Sequence, residues 1–365
     1  MISFAPTEEQ ELARQAMGEF ATARMRPLAR ECDEAEAVPD DFLDEAWQLG
    51  LTATVIPEEL GGGGEAASPL MNALILEELA YGDAALALAA LAPSLFVLPL
   101  VEQGSEEQRA KYLPAFCGDR FLAASLAVIE PGALFDPWKT RTTARRRGEV
   151  WVLDGEKSLV PLAASARWFL VLAAAEDHRL EAFIVPRDAP GLAVSGPEKN
   201  LGLRALATGG LTLAGVEVPA ADRLGGEGGA DAVRLLDRSR AALASVMTGL
   251  ARAVMDYCVP YAKERVAFGE PIARKQAIAF MIADMRIESD AMRWLAWKAA
   301  SELENGRDAT RSAHLAHAYA ARETLRIADN GVQVLGGHGY IRDHPVEMWL
   351  RNARTLGVLE GTAAI

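Results

Sequence analysis

The chain is short of cysteine, of basic charge and of any unbroken apolar span. Its three cysteines, Cys32, Cys117 and Cys258, lie far apart and form no C-x-x-C. That argues against a disulfide framework or a zinc ribbon and suits a reducing cytoplasm, where the protein is expected to reside. Lys and Arg number 37 against 51 Asp and Glu, a formal net charge of −14, so a nucleic-acid backbone is repelled on average. Arg145-Arg146-Arg147, the one basic run, reads as a solvated hairpin tip. The best membrane candidate, residues 84–101, is alanine-rich and broken by Pro93 and Pro99, so it reads as a buried core segment and no membrane span is expected. The chain does not open with a basic segment followed by an apolar one, so no signal peptide is expected.

Common catalytic signatures are missing too. Glycines 61–64 lack the Lys-Ser/Thr of a phosphate loop, and no G-x-S-x-G or Cys–His pattern marks a nucleophile. His314 and His317 sit at i and i+3, but no carboxylate completes a metal set at helical spacing. They read as a surface or core pair, and no metal is expected.

What remains is a soluble chain of 365 residues, half of them hydrophobic, enough for two or three domains. Residues 1–120 read as helix. Thr7-Glu8-Glu9-Gln10 is a capping-box signature, with Leu12, Ala16 and Phe20 on one face; Pro39-Asp40-Asp41 and Ser105-Glu106-Glu107-Gln108 open further helices. The period then changes. Short runs at 121–128, 149–155, 169–173, 182–185 and 211–218 predict an antiparallel sandwich or barrel over residues 121–225. After Gly225-Gly226-Glu227-Gly228-Gly229 the pattern is helical again through 226–365. Ile278, Met281, Ile282, Met285, Met292 and Leu295 share one stripe, and Leu315, Tyr319, Leu325, Ala328, Val332 and Leu335 another.

One carboxylate stands out. Glu360 lies in Val358-Leu359-Glu360-Gly361-Thr362, flanked by apolar residues that would desolvate it and favour a general base. Gly336-Gly337-His338-Gly339 follows a helix, not a strand, so its spacing gives a tight turn and not a dinucleotide fingerprint.

These features occur in a recognisable order. Ala262-Lys263-Glu264-Arg265-Val266-Ala267-Phe268-Gly269-Glu270-Pro271-Ile272, Gln276-Ala277-Ile278, Gln333-Val334-Leu335-Gly336-Gly337-His338-Gly339-Tyr340, Pro345-Val346-Glu347 and Glu360-Gly361-Thr362 resemble the acyl-CoA dehydrogenase family in order and spacing. Tyr112-Leu113-Pro114, Glu130-Pro131-Gly132-Ala133 and Gly202-Leu203-Arg204 extend the likeness over nearly the whole chain. The resemblance implies an α+β fold: an N-terminal helical domain, a middle β-barrel or sandwich and a C-terminal four-helix bundle. It also implies an FAD enzyme in which a carboxylate removes the α-proton of an acyl thioester while the β-hydride passes to flavin. Glu360 matches that base; the alternative site on an earlier helix matches Ser239, which has no carboxylate. Arg265, Phe268 and Gln276 match positions that contact FAD across a subunit boundary. Gln333, Gly336 and Gly337 match the loop near its adenine diphosphate side. Thr362 matches a flavin contact, and Asp237, Arg240 and Gly361 match substrate positions. The implied partners are further copies of the chain in a tetramer or dimer, or a homologous subunit, with an electron-transfer flavoprotein or similar acceptor.

The middle region departs from the family pattern. Ile129 replaces a threonine before Glu-Pro-Gly-Ala, Leu134-Phe135 replaces Gly-Ser, and Leu159-Val160-Pro161 replaces Trp-Ile-Thr. Each lost hydroxyl removes about 1 kcal/mol of hydrogen bonding to whatever it faced. Two alternatives follow: a half-site subunit completing a partner's flavin site, or a member acting on carrier-protein-bound acyl groups.

Overall fold

The computed structural model describes residues 5–176 and 178–365. The capping box forms as the sequence predicts: Thr7 Oγ1 accepts from the Gln10 N–H, and Gln10 accepts from Thr7 N–H in return. It opens α1 (Glu8–Phe20), which passes through one π-helical turn into α2 (Arg26–Ala35). The inward residue of α1 is Met17, whereas Leu12 is 64% exposed. The expected Leu12–Ala16–Phe20 stripe is therefore rotated. Arg14, which donates to Glu78 Oε1 at 3.2 and 3.0 Å, ties the other face to the neighbouring helix. α3 (Asp40–Trp47) buries Phe42, Leu43, Ala46 and Trp47. α4 (Pro69–Gly82), α5 (Ala84–Ala90), α6 (Ser94–Gln103) and α7 (Glu106–Tyr112) complete this part. The uncharged stretch forms α5 and α6, which bend by 49° and lie in the core.

The strands are β1 (Ala124–Ala127), β2 (Thr143–Arg147), β3 (Val150–Pro161), β4 (Trp168–Ala174), β5 (Leu180–Pro186), β6 (Leu192–Pro197) and β7 (Thr208–Pro219). They form one seven-stranded sheet, ordered β1-β4-β2-β3-β7-β6, with β5 on β4. Most pairs are antiparallel, but β1 runs parallel to β4, so the sheet is mixed. The arginine run forms β2 itself, with Arg145 paired to Asp154 and Arg147 to Glu217, all at the surface.

After a glycine-rich turn, α8 (Ala232–Glu264) runs 33 residues through the core. It is apolar and long enough to cross a membrane, but 78% of its most apolar window is buried within the protein. A small hairpin, β8 (Val266–Ala267) and β9 (Glu270–Pro271), leads to α9 (Gln276–Glu304), α10 (Thr310–Leu335) and α11 (Val346–Leu356). α8 packs on α9 and α10, and α11 on α10, giving the four-helix bundle. Here too the stripe shifts. α10 turns Ala313, Ala316 and Ala320 inward and leaves Leu315 48% exposed, because small residues let the helices approach closely.

Candidate functional site

Two consecutive residues of α8 grip two consecutive residues of the C-terminal segment. Ser239 Oγ accepts the Gly361 N–H at 3.0 Å. Arg240 donates to both Glu360 oxygens, at 2.8 Å from Nε and 3.1 Å from Nη2. The two side chains are 9% and 13% exposed, so water is largely excluded from the pair. Glu360 is thus held by a guanidinium, not by the purely apolar surroundings its sequence neighbours suggested.

Gly361 is required by geometry. Its φ is +69°, and a Cβ there would fall 2.2 Å from Val128 Cγ2, just beyond β1. Only glycine lets the segment carrying Glu360 lie this close to the sheet. Thr362 follows, buried, its Oγ1 without a hydrogen-bond partner among the described residues. An orphaned buried hydroxyl beside the candidate base is where a bound group would bond.

The approach of α11 fixes the rest. Leu203 N–H donates to Asn352 Oδ1 at 2.7 Å and Gly202 N–H to Thr355 Oγ1 at 3.0 Å, joining the middle β part to α11. Arg351 clasps Asp33 at 2.9 and 2.6 Å, tying α11 to α2. None of these anchors carried a sequence signal of its own, since each partner lies at least 149 residues away.

Asp237, two residues before this grip, accepts from Thr310 Oγ1 at 2.8 Å, and its Oδ1 is buried without a partner among the described residues. Burial pushes its carboxyl up, against the Thr310 hydrogen bond and the Arg240 charge. Glu130 plays a different part. It accepts from Arg141 N–H at 2.7 Å, Thr142 N–H at 2.8 Å and Lys157 Nζ at 3.1 Å. Burial alone would raise its pKa, but Lys157 and the hydrogen bonds bring it down to about 2. It is a structural anchor for the loop between β1 and β2.

The remaining sequence candidates lie elsewhere. Arg265 caps the end of α8, Gln276 starts α9, and Gln333, Gly336 and Gly337 end α10, with Phe268 93% exposed on the hairpin between. All six are exposed and meet at one end of the bundle. Arg265 lies roughly 25 residues beyond Arg240, about 38 Å along the same helix. One protomer therefore does not bring this group to Glu360. Among the described residues a Cβ on Gly336 or Gly337 would meet nothing within 4 Å, so space does not demand glycine at either, but the φ of +58° at Gly336 does favour it. Of the positions singled out in the sequence, Glu360, Gly361, Thr362, Asp237 and Arg240 gather at one place, and the other six at a second.

On the sheet side, Ile129 is buried, Leu159 takes φ of +55° within a register shift of β3, and Leu162, just past the end of that strand, takes +50°. Bulky residues in the left-handed region store strain, which tends to persist where the surrounding structure fixes a site.

Comparison with known proteins is consistent with this architecture. Sequence profiles of the acyl-CoA dehydrogenase N-terminal, middle and C-terminal domains match residues 7–119, 125–216 and 226–365. A Bacillus subtilis (strain 168) protein named "Probable acyl-CoA dehydrogenase YngJ" is 35% identical, over 100% of this chain and 97% of its own length. The mitochondrial short-chain specific acyl-CoA dehydrogenase of Rattus norvegicus is 33% identical, over 98% of this chain and 88% of its own. The butyryl-CoA dehydrogenase structure from Megasphaera elsdenii superimposes with a TM-score of 0.89 at 30% identity, covering 99% of this chain and 96% of that one. The fold and the paired site define a three-part oxidoreductase architecture. The chain belongs to the acyl-CoA dehydrogenase family.

Proposed function

We propose that the chain is an FAD-dependent dehydrogenase of acyl-CoA thioesters, with Glu360 as the base. The observation that carries this reading is the Arg240–Glu360–Gly361–Ser239 grip, which fixes one buried carboxylate on the segment that lies against Val128. Thr362, with its unpartnered buried hydroxyl, would hold the flavin from its own protomer. Bound FAD supplies the hydride acceptor for the substrate β-carbon. Arg240 orients the Glu360 carboxylate, and exclusion of water by the Leu359 and Gly361 backbone strengthens its interaction with the substrate α-proton. Asp237 lies close enough to bias the thioester end through its free Oδ1.

The exposed group at the far end of the bundle, Arg265, Phe268, Gln276, Gln333, Gly336 and Gly337, would complete a neighbouring copy's site. Its separation from Glu360 and the exposed Phe268, Phe280 (60%) and Ile287 (62%) support a homo-oligomer, a dimer or tetramer. An electron-transfer flavoprotein is the acceptor we assign, and the cytoplasm the compartment. The test is Glu360→Gln, which keeps size and polarity but takes no proton. Turnover of acyl-CoA substrates should fall by at least about 10³-fold while FAD content and melting stay near those of the parent. Full activity in that variant would overturn the assignment.

A further inference from the structure

The segment after α11 crosses α10 closely. A Cβ on Gly357 would sit 3.8 Å from the Ala321 Cβ, so the following turn brings Leu359 and Glu360 over the previous turn of α10. His317 occupies that turn. Its ring meets the Leu359 backbone carbonyl, and its Nε2 is buried with no hydrogen-bond partner among the described residues. His314, the other member of the i, i+3 pair, is exposed. The pair thus splits: one histidine at the surface, the other in the wall of the Glu360 site.

We infer that His317 is a positioning residue for Glu360: in its neutral form it steadies the Leu359–Glu360 backbone without competing with Arg240 for the carboxylate. The inference rests on Glu360 being the base. The groups that face the ring are Glu360 from the C-terminal segment, Arg240 from α8 and His314 on α10 itself; Asp237, with Asp308 behind it, acts on the same Arg240. Burial pushes the imidazole below its ordinary range, Glu360 pulls it up, and Arg240 and His314 push it down. The ring is therefore neutral through the neutral range and gains its charge only as the pH falls below it. Once charged, it sits beside Glu360 as a second cation, and the carboxylate divides between two partners. The base then loses the single orientation that Arg240 gives it, and turnover falls on the acid side.

Three variants separate positioning from bulk packing. His317→Asn keeps a donor near the Leu359 carbonyl but takes no proton, so the acid limb of its kcat profile should flatten. His317→Lys places a cation there at every working pH and should lower kcat at least about tenfold at neutral pH, with KM within about twofold. His317→Phe should lower both stability and kcat. A direct readout is the His317 ring resonance in protein labelled at the imidazole carbons. Its midpoint should lie below the ordinary histidine range, rise in Arg240→Gln and fall in Glu360→Gln. A parent-like kcat and pH profile in both His317→Lys and His317→Asn, or a resonance indifferent to Arg240 and Glu360, would overturn the inference. If Glu360→Gln itself were fully active, the base assignment would fail first; if it is dead while His317→Lys is normal, only the positioning role fails.

Discussion

Glu130 and Lys157 show what a single buried charge does in this fold. The Lys157 side chain is fully buried, and its Nζ bonds Val128 O and Glu130 at 3.1 Å and Thr140 Oγ1 at 3.2 Å. Burial lowers its pKa to about 8, with Glu130 holding it up. Glu130 titrates far below its ordinary range, so its contribution to stability is present above the usual carboxylate range and is lost as the pH falls toward about 2. Glu130→Gln removes one partner and strands the buried ammonium. Breaking such a pair costs about 3–5 kcal/mol, so the variant should melt well below the parent at neutral pH. An unchanged denaturation midpoint would mean that water already screens the pair. Sequence showed that Glu130 belongs to a motif but not why, because its partners Arg141, Thr142 and Lys157 become neighbours only when β3 folds back. Glu360 was singled out through the family resemblance, because an acid between Leu359 and Gly361 is by itself an ordinary surface pattern, and its partner Arg240 lies 120 residues away.

At the scale of elements, the C-terminal segment decides where Glu360 sits, and β3 shapes the sheet side of the middle part. Gly361→Ala adds a methyl that must clear Val128 while keeping φ at +69°. The segment should lift off the sheet, at a cost of about 1–3 kcal/mol, with turnover reduced at least about tenfold. Equal activity and melting would show that β1 yields instead. The sheet wall at Ile129, Leu159 and Pro161 offers no hydroxyl. The triple change Ile129→Thr, Leu159→Trp and Pro161→Thr should tighten FAD, since each restored hydrogen bond is worth about 1 kcal/mol. An unchanged FAD titration curve would remove the argument that this wall weakens the hold. The element types were readable from period and caps, as α1, α3, α7 and the strands show. The rotation of helix faces was not. In α1 and α10 the apolar residues are too few or too scattered to define one stripe, and Arg14–Glu78 or a row of alanines settles it instead. The β1–β4 parallel pair was also hidden, since strand direction depends on which strands meet and not on their local pattern.

On the scale of the whole molecule, the two groups of site residues lie about 38 Å apart along α8, which is the argument for assembly. If each flavin site takes Glu360 and Thr362 from one copy and Arg265 and Gln333 from another, two crippled chains can repair each other. Glu360→Gln damages the first half, and Arg265→Ala with Gln333→Ala damages the second. Each protein alone should be nearly inactive for its own reason, the first in proton removal and the second in FAD retention. Coexpressed and assembled at random in pairs, they form mixed dimers in which one site carries both defects and the other carries none. About a quarter of all sites should then be intact, with a matching recovery of activity and bound FAD. Light scattering on the same samples must show a dimer or larger species at working concentration. A monomer, or a mixture no more active than its parts, would mean that each chain builds its site alone, and the exposed Arg265–Gln333 end of the bundle would need another purpose. The family resemblance already set Arg265, Phe268 and Gln276 across a subunit boundary, but linear order places Arg265 between Arg240 and Glu360 and gives no distance. Only the rigid length of α8 separates them.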